Sequence, residues 1–264
     1  MKTKSAEWKN IMKDDSNIIT LPEFPSIPAS LIKGRSVRDG YTRGWGLQFG
    51  ELKSQIANDA LYQEALSLSK GRTVQSEDNR MNIFLLMKFY FENLPMGNIT
   101  EFGSYKGGSA IFMAKICQVL HPEMTIYAFD TFSGMPETDA EIDAHRKGNF
   151  SDVNYEELQE YINSIGLSNL KLVRGMFDET APSKLPEVGH IRMTHIDCDI
   201  RSAVAYSYDA ALPYMVEGGY IVLDDALFSS CIGATEVVED LIIKRDGLNS
   251  EQIYPHYVFR ANVS

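Results

Sequence analysis

The sequence predicts an α/β fold, a mostly parallel sheet with helices on both faces and a helical and loop extension at the N-terminus. Two observations carry this expectation. From residue 98 onward, short β-rich runs alternate regularly with helical runs, the pattern of a parallel sheet whose crossovers are helices. Glycines or aspartates sit where several of those runs end, and in such folds ligands lie at the carboxyl ends of the strands. The 264 residues suit one large domain with an appendage.

The elements follow in order. Residues 20–46 contain Pro22, Pro25, Pro28, Gly34, Gly40, Gly44 and Gly46, with Tyr41 and Trp45 among them. This spacing reads as a stretch punctuated by turns, and its aromatics make it a candidate lid or oligomer contact. Leu47, Leu52, Ile56, Leu61, Ala65 and Leu68 give helical spacing over 47–69, ended by Gly71. Ser76 is placed to cap a helix over 77–93, with Pro95 beyond its end. Strands are expected at 99–102, 124–129, 170–173, 190–196, 220–223 and 252–259, and helices at 108–120, 155–165, 203–215 and 235–244. The boundary is drawn between an arm with a possible lid (1–72) and the main domain (73–264).

Composition narrows the function. A formal net charge of −11 argues against a phosphate-backbone binder. The opening MKTKSAEWKN lacks the apolar core of a secretory signal. No apolar run approaches the ~20 residues that span a bilayer. Cys117, Cys198 and Cys231 are widely spaced and odd in number, which suits a reducing compartment. The expectation is a cytoplasmic protein, a homo-oligomer with a dimer favoured, that binds neither nucleic acid nor membrane.

The first strand runs into Glu101-Phe102-Gly103-Ser104-Tyr105-Lys106-Gly107-Gly108-Ser109. Glycines let a backbone turn sharply and approach a ligand before a helix starts. The dinucleotide fingerprint needs a middle glycine where this chain has Tyr105, so a ligand without phosphates, presenting an amino acid and a nucleoside, fits better. Glu101 also suits a cationic group. Asp130 closes the second strand, where an acid accepts hydrogen bonds from ribose hydroxyls, and Phe132 is placed to lie against an adenine face.

The fourth strand ends in His195-Ile196-Asp197-Cys198-Asp199 and the fifth in Asp224-Asp225. In the doubly wound order these strands are neighbours, about 4.8 Å apart, so Asp197 and Asp224 should meet over one crevice. An extended backbone would point Asp199 the same way and Asp225 away, unless the chain turns there. Anions gathered like this favour a bound cation, and oxygen-only ligation suits a hard ion such as Mg2+. Asp225 alone reads equally well as a cap of the following helix. His195 is either a partner of this cluster or an ordinary buried strand histidine. His145, Arg146 and Lys147 read as a solvated loop face or as groups closing over a substrate.

The segments EFGSYKGGSA, AFDTFSGMP, LVRGMFDET, HIDCD and GGYIVLDD, in this order, resemble the macrocin O-methyltransferase family over roughly residues 73 to 260. The resemblance implies a Rossmann-like methyltransferase fold with a mostly parallel seven-stranded sheet and a reversed last strand. It implies an S-adenosyl-L-methionine-dependent enzyme that uses Mg2+ or another hard divalent cation to methylate a hydroxyl of a small-molecule acceptor, a sugar or other vicinal diol. Glu101, Gly103, Ser104, Tyr105, Gly108 and Ser109 would hold the methionine part of the cofactor, Asp130 the ribose, with Thr131 and Phe132 beside it. The segment from Gly175 to Phe177 would lie near the adenine or the sulfonium. Asp197, Asp224 and Asp225 match the metal ligands, with Asp197 also catalytic, and Asp199 matches the general base. Residues 73–76 match a segment that approaches the cofactor. The family commonly has tryptophan at the place of Tyr105 and an aromatic at Ala226, differences that bear on the acceptor. The rival readings are a metal-independent methyltransferase of an amine, acid or thiol, a nucleotide-binding oxidoreductase, and a non-catalytic scaffold that keeps the fold.

Overall fold

A computed structural model describes residues 19–21 and 37–262. The expectations for Pro22, Pro25, Pro28 and Gly34 lie outside these residues. Helices α1 (Val37–Phe49), α2 (Leu52–Ala57), α3 (Ala60–Ser69) and α4 (Glu77–Leu85) precede the sheet. Residues 37–46 are thus helical, not a run of turns. The glycines serve packing. A Cβ on Gly40 would come within 2.5 Å of the Glu251 carbonyl oxygen, and one on Gly44 within 2.6 Å of that of Tyr254. One face of α1 therefore rests directly on the backbone of the 251–254 segment. The expected 47–69 helix is broken at Gly50 and again at Asp59, whose side chain accepts from the Leu61 and Tyr62 amides and starts α3. α4 starts as expected at Ser76, whose Oγ accepts from the Asn79 amide, and it continues to Asn93 through wider and then tighter turns.

The alternation then runs β1 (Asn98–Phe102), α5 (Gly108–Leu120), β2 (Ile126–Asp130), α6 (Tyr155–Ser164), β3 (Leu170–Arg174), α7 (Phe177–Val188), β4 (Ile191–Ile196), α8 (Arg201–Ala211), β5 (Met215–Leu223), α9 (Ile232–Val237, extended by wide turns to Arg245) and β6 (Tyr257–Arg260). The sheet order is β3-β2-β1-β4-β5-β6, with β6 antiparallel to β5 and every other pair parallel. The fold is the expected Rossmann-like one, but among the described residues the sheet has six strands, not seven. Beside β6, Gln252 makes a single antiparallel bridge to Val258. The chain turns at Pro255 instead of extending, and a proline has no N–H to give a ladder.

Two apolar layers flank the sheet. Leu52, Ile56, Tyr62, Phe84, Phe112 and Ile162 belong to one core cluster, which unites the N-terminal helices with α5 and α6. Ala181, Leu185, Val204, Tyr208 and Val237 belong to the other, under α7, α8 and α9. β4 is buried along its whole length, as a central parallel strand should be. Between β1 and β4 the strand order reverses, and the functional cleft opens there, where such folds bind ligands. No helix among the described residues is long and apolar enough to cross a membrane.

Candidate active site

A cleft of about 500 Å³ lies over the carboxyl ends of β1, β2, β4 and β5. The glycine turn forms one wall. Gly103 has φ +91°, and a Cβ there would sit 1.8 Å from the Asp197 carbonyl oxygen. Only glycine lets the end of β1 pass this close to the end of β4. Gly103, Ser104, Tyr105 and Ser109 line the cleft. Gly108 does not; it packs against the backbone of Arg72.

Asp130 anchors this wall. Its Oδ2 accepts from the Ser104 and Tyr105 amides at 2.8 Å each, and its Oδ1 from the Phe132 amide at 2.6 Å. Burial pushes the carboxyl up, against these three amide bonds. A carboxylate has about four lone-pair positions, so about one remains for a ligand hydroxyl. Thr131 and Phe177 also line the cleft, and Phe177 packs edge-on against Phe102 with ring centres 5.3 Å apart. Phe132 does not reach it. At 2% exposure it packs against Tyr155 in the core, so it has no face to offer an adenine. Its φ of +51° turns the chain inward.

Glu101 is fully buried beneath the cleft. Its carboxylate accepts from Ser104 Oγ and from His195 Nδ1, the latter at 3.1 Å. From there it supports the glycine turn, and it is not among the residues that line the cleft. His195 lies between Glu101 and Asp224, 3.2 Å from the latter through Nε2. Burial alone would keep this imidazole neutral, but the two carboxylates push it up to about 9.

The aspartates converge. Oxygens of Asp197, Asp224 and Asp225 all lie within 4.8 Å of one another. Asp225 joins because β5 ends at Leu223 and the chain bends at once. Burial, reinforced by the neighbouring carboxylates, pushes Asp197 and Asp225 well above the usual carboxylate range. Asp224 behaves oppositely. It accepts from Gln75 Nε2 (2.5 Å), Asn79 Nδ2 (2.9 Å) and His256 Nε2 (2.8 Å) besides His195. Burial would raise it, but these imidazoles overcome that and hold it well below the usual range. The donor set of the trio, three carboxylates with no sulfur, fits a hard divalent cation.

Asp199 stands apart. Its φ of +59° rotates it out of the extended path, its amide donates to Asp225 Oδ2 at 2.8 Å, and its Oδ1 faces His145 and Cys231. Burial pushes it up, while His145 works against this. Residues 73–76 line the cleft too, entering it beside Gly108 of the glycine turn, and so does His145. Local sequence gave no signal for Gln75, Asn79 and His256 as partners of Asp224, because they come from distant stretches. Cys231, Phe150 and Tyr206 also line the cleft without carrying a motif.

Comparison with known proteins gives a consistent picture. The chain is 25% identical over 146 residues to an 8-demethyl-8-(2,3-dimethoxy-alpha-L-rhamnosyl)-tetracenomycin-C 4'-O-methyltransferase of Streptomyces olivaceus, a match spanning 51% of this chain and 55% of that one. The chain thus matches little more than half the length of this relative. Among solved structures, the O-methyltransferase NovP superposes with a TM-score of 0.62 at 21% identity, over 73% of this chain and 83% of that one. The calicheamicin methyltransferase CalS11 does so with a TM-score of 0.59 at 20% identity, over 76% and 91%. These structures share the fold. The Macrocin-O-methyltransferase (TylF) family profile matches residues 79–244, a span that runs from the helix supporting Asp224 through the glycine turn and all four aspartates, and the chain belongs to that family.

Proposed function

We propose that the protein is an S-adenosylmethionine-dependent O-methyltransferase acting on a hydroxyl of a small molecule, a sugar or other vicinal diol of a natural product or glycan. On this reading residues 73–264 form the catalytic domain, residues 1–72 an extension to it, and the enzyme works in the cytoplasm. The observation that carries the proposal is the convergence of Asp197, Asp224 and Asp225 beside the glycine turn and Asp130 in one cleft, in a chain of this family.

S-adenosylmethionine supplies the methyl group, and Mg2+ or another hard divalent cation held by Asp197, Asp224 and Asp225 supplies Lewis acidity at the acceptor hydroxyl. The chain's own residues do the rest. The glycine turn and Ser109 orient the methionine part, and Asp130 offers its remaining lone pair to a ribose hydroxyl. Asp199, its carboxyl pushed up by burial, takes the proton of the hydroxyl on its carboxylate. Phe177, Met176 and Tyr206 line the cleft and help exclude water. Alignment of the reacting groups by these walls is worth roughly 7–11 kcal/mol in favourable cases.

The test is methyl transfer from S-adenosylmethionine to a panel of nucleotide-linked and glycosidic sugars, read by mass spectrometry, with Mg2+ and with EDTA. A methyl ether formed with Mg2+ and lost with EDTA is the expected result. Full turnover in EDTA sinks the metal requirement, and methylation only of amine, acid or thiol acceptors sinks the assignment to hydroxyls.

A further inference from the structure

A second group of metal-ligating side chains sits in the same cleft, outside the carboxylate trio. His145 Nε2 lies 3.3 Å from Asp199 Oδ1, and Cys231 Sγ lies 3.5 Å from that oxygen. One ligand atom from each of the three is within 4.8 Å of the other two. The residues come from three segments, the loops after β2, β4 and β5.

Two edges of this triangle fit an ion, and along one of them Cys231 Sγ also donates to Asp199 Oδ1. A charge-assisted N–H···O bond closes to about 2.7–2.9 Å, and the His145–Asp199 pair stays at 3.3 Å. Four-coordinate zinc, with Zn–N about 2.05 Å, Zn–O about 2.1 Å and Zn–S about 2.3 Å, sets ligand-to-ligand edges of about 3.4 Å for N–O and about 3.6 Å for S–O. The observed 3.3 and 3.5 Å lie within about 0.1 Å of those edges.

The backbone of each ligand residue is held in place without an ion. The His145 carbonyl accepts from Thr138 Oγ1 at 3.0 Å and Arg146 Nη1 at 2.9 Å. Two residues earlier, buried Asp143 accepts from the Arg201 amide at 2.9 Å and ties the loop to the start of α8. The Phe150 ring lies 5.5 Å from the imidazole. The Cys231 amide donates to the Phe228 carbonyl at 2.9 Å, fixing the residue that opens α9. Asp199 is fixed by its amide bond to Asp225. All three residues line the cleft.

We propose that His145, Asp199 and Cys231 form a binding site for a borderline-soft divalent cation of the zinc class, distinct from the hard-ion trio, with its fourth position open to the cleft. The mixed N, O and S donor set selects against Mg2+ and for zinc. Three protein ligands and one open position is the arrangement of zinc sites that take an exogenous ligand. On binding, the Cys231 thiol proton passes to solvent and the thiolate takes its place on the ion. Occupancy ties up the Asp199 carboxylate. If Asp199 is the proton acceptor described above, the ion inhibits turnover, but binding itself does not depend on that role.

The test is titration of the full chain with Co2+ in excess Mg2+, read by absorption. The expected result is a thiolate-to-cobalt charge-transfer band with the strong visible absorption of four-coordinate cobalt, bleached by Zn2+. Cys231→Ser abolishes the charge-transfer band, and His145→Gln weakens Zn2+ binding by calorimetry by an order of magnitude or more. Asp197→Asn leaves the band in place, because the trio is a separate site. Absence of the band in the wild-type protein overturns the proposal without reference to any variant. An equal band in Cys231→Ser, in protein that melts like wild type, overturns it as well.

Discussion

At the scale of single residues, Asp130 and Asp197 show what position does to a carboxylate. Asp130 spends three of its lone pairs on the backbone amides of Ser104, Tyr105 and Phe132. Asp130→Ala strands those donors and removes the contact proposed for the ribose. S-adenosylhomocysteine should bind about 1–3 kcal/mol more weakly by calorimetry, and an unchanged dissociation constant would remove Asp130 from the cofactor site. Asp197 instead sits where burial, reinforced by the neighbouring carboxylates, pushes it up. Asp197→Asn should abolish methyl transfer while leaving cofactor affinity within a few-fold; normal turnover in this variant would refute the metal proposal. The strand-end acids and the glycine turn were legible in the sequence because alternation and turn chemistry are local. The inward turn of Phe132 and the burial of Glu101 were not, because each depends on contacts with Tyr155 or His195, far along the chain.

At the scale of elements, caps and strand ends were readable where side-chain chemistry is distinctive. In the helix expected over 155–165, Asn154 accepts from the Glu157 amide at the start of α6. α7 escaped notice because Pro182 and Pro186 argue against a helix. Ala181, Leu185 and Val188 are nevertheless buried at intervals of four and three, and that apolar face holds the segment helical. α4 links a cap to chemistry. Ser76 Oγ donates to Asn79 Oδ1 at 2.8 Å and accepts from its amide, which aims Asn79 Nδ2 at Asp224. Ser76→Ala should destabilise the protein by about 1 kcal/mol in urea titration and also weaken Mg2+ binding. A loss of stability with Mg2+ affinity intact would confine Ser76 to capping.

At the scale of the whole molecule, the helical extension and the sheet meet through buried polar groups. Arg43 of α1 donates through Nε to Gln252 Oε1 at 3.0 Å and lies 3.7 Å from Glu251, which accepts from Arg260 of β6 at 3.2 Å. Gln252 donates to Asn82, and Asn82 meets His256, the partner of Asp224. Charge so far from water holds only while it is matched. Glu251→Leu leaves two guanidiniums facing an apolar chain and should cost about 3–5 kcal/mol of unfolding free energy; a loss below about 1 kcal/mol, the range of an exposed pair, would mean that solvent reaches this junction. Nothing in residues 37–46 announced this junction, because the glycines that permit the close approach are also turn residues.

The four partners of Asp224 carry a consequence for how the chain becomes active. Residues 75 and 79 lie before the first strand, residue 195 in the fourth, and residue 256 just before the last. Until all three stretches have docked, an ionised carboxylate at that depth has too few donors to replace water. A nascent chain must therefore keep this acid wet or protonated, and its negative charge is matched only once all three stretches, the C-terminal one included, have come together.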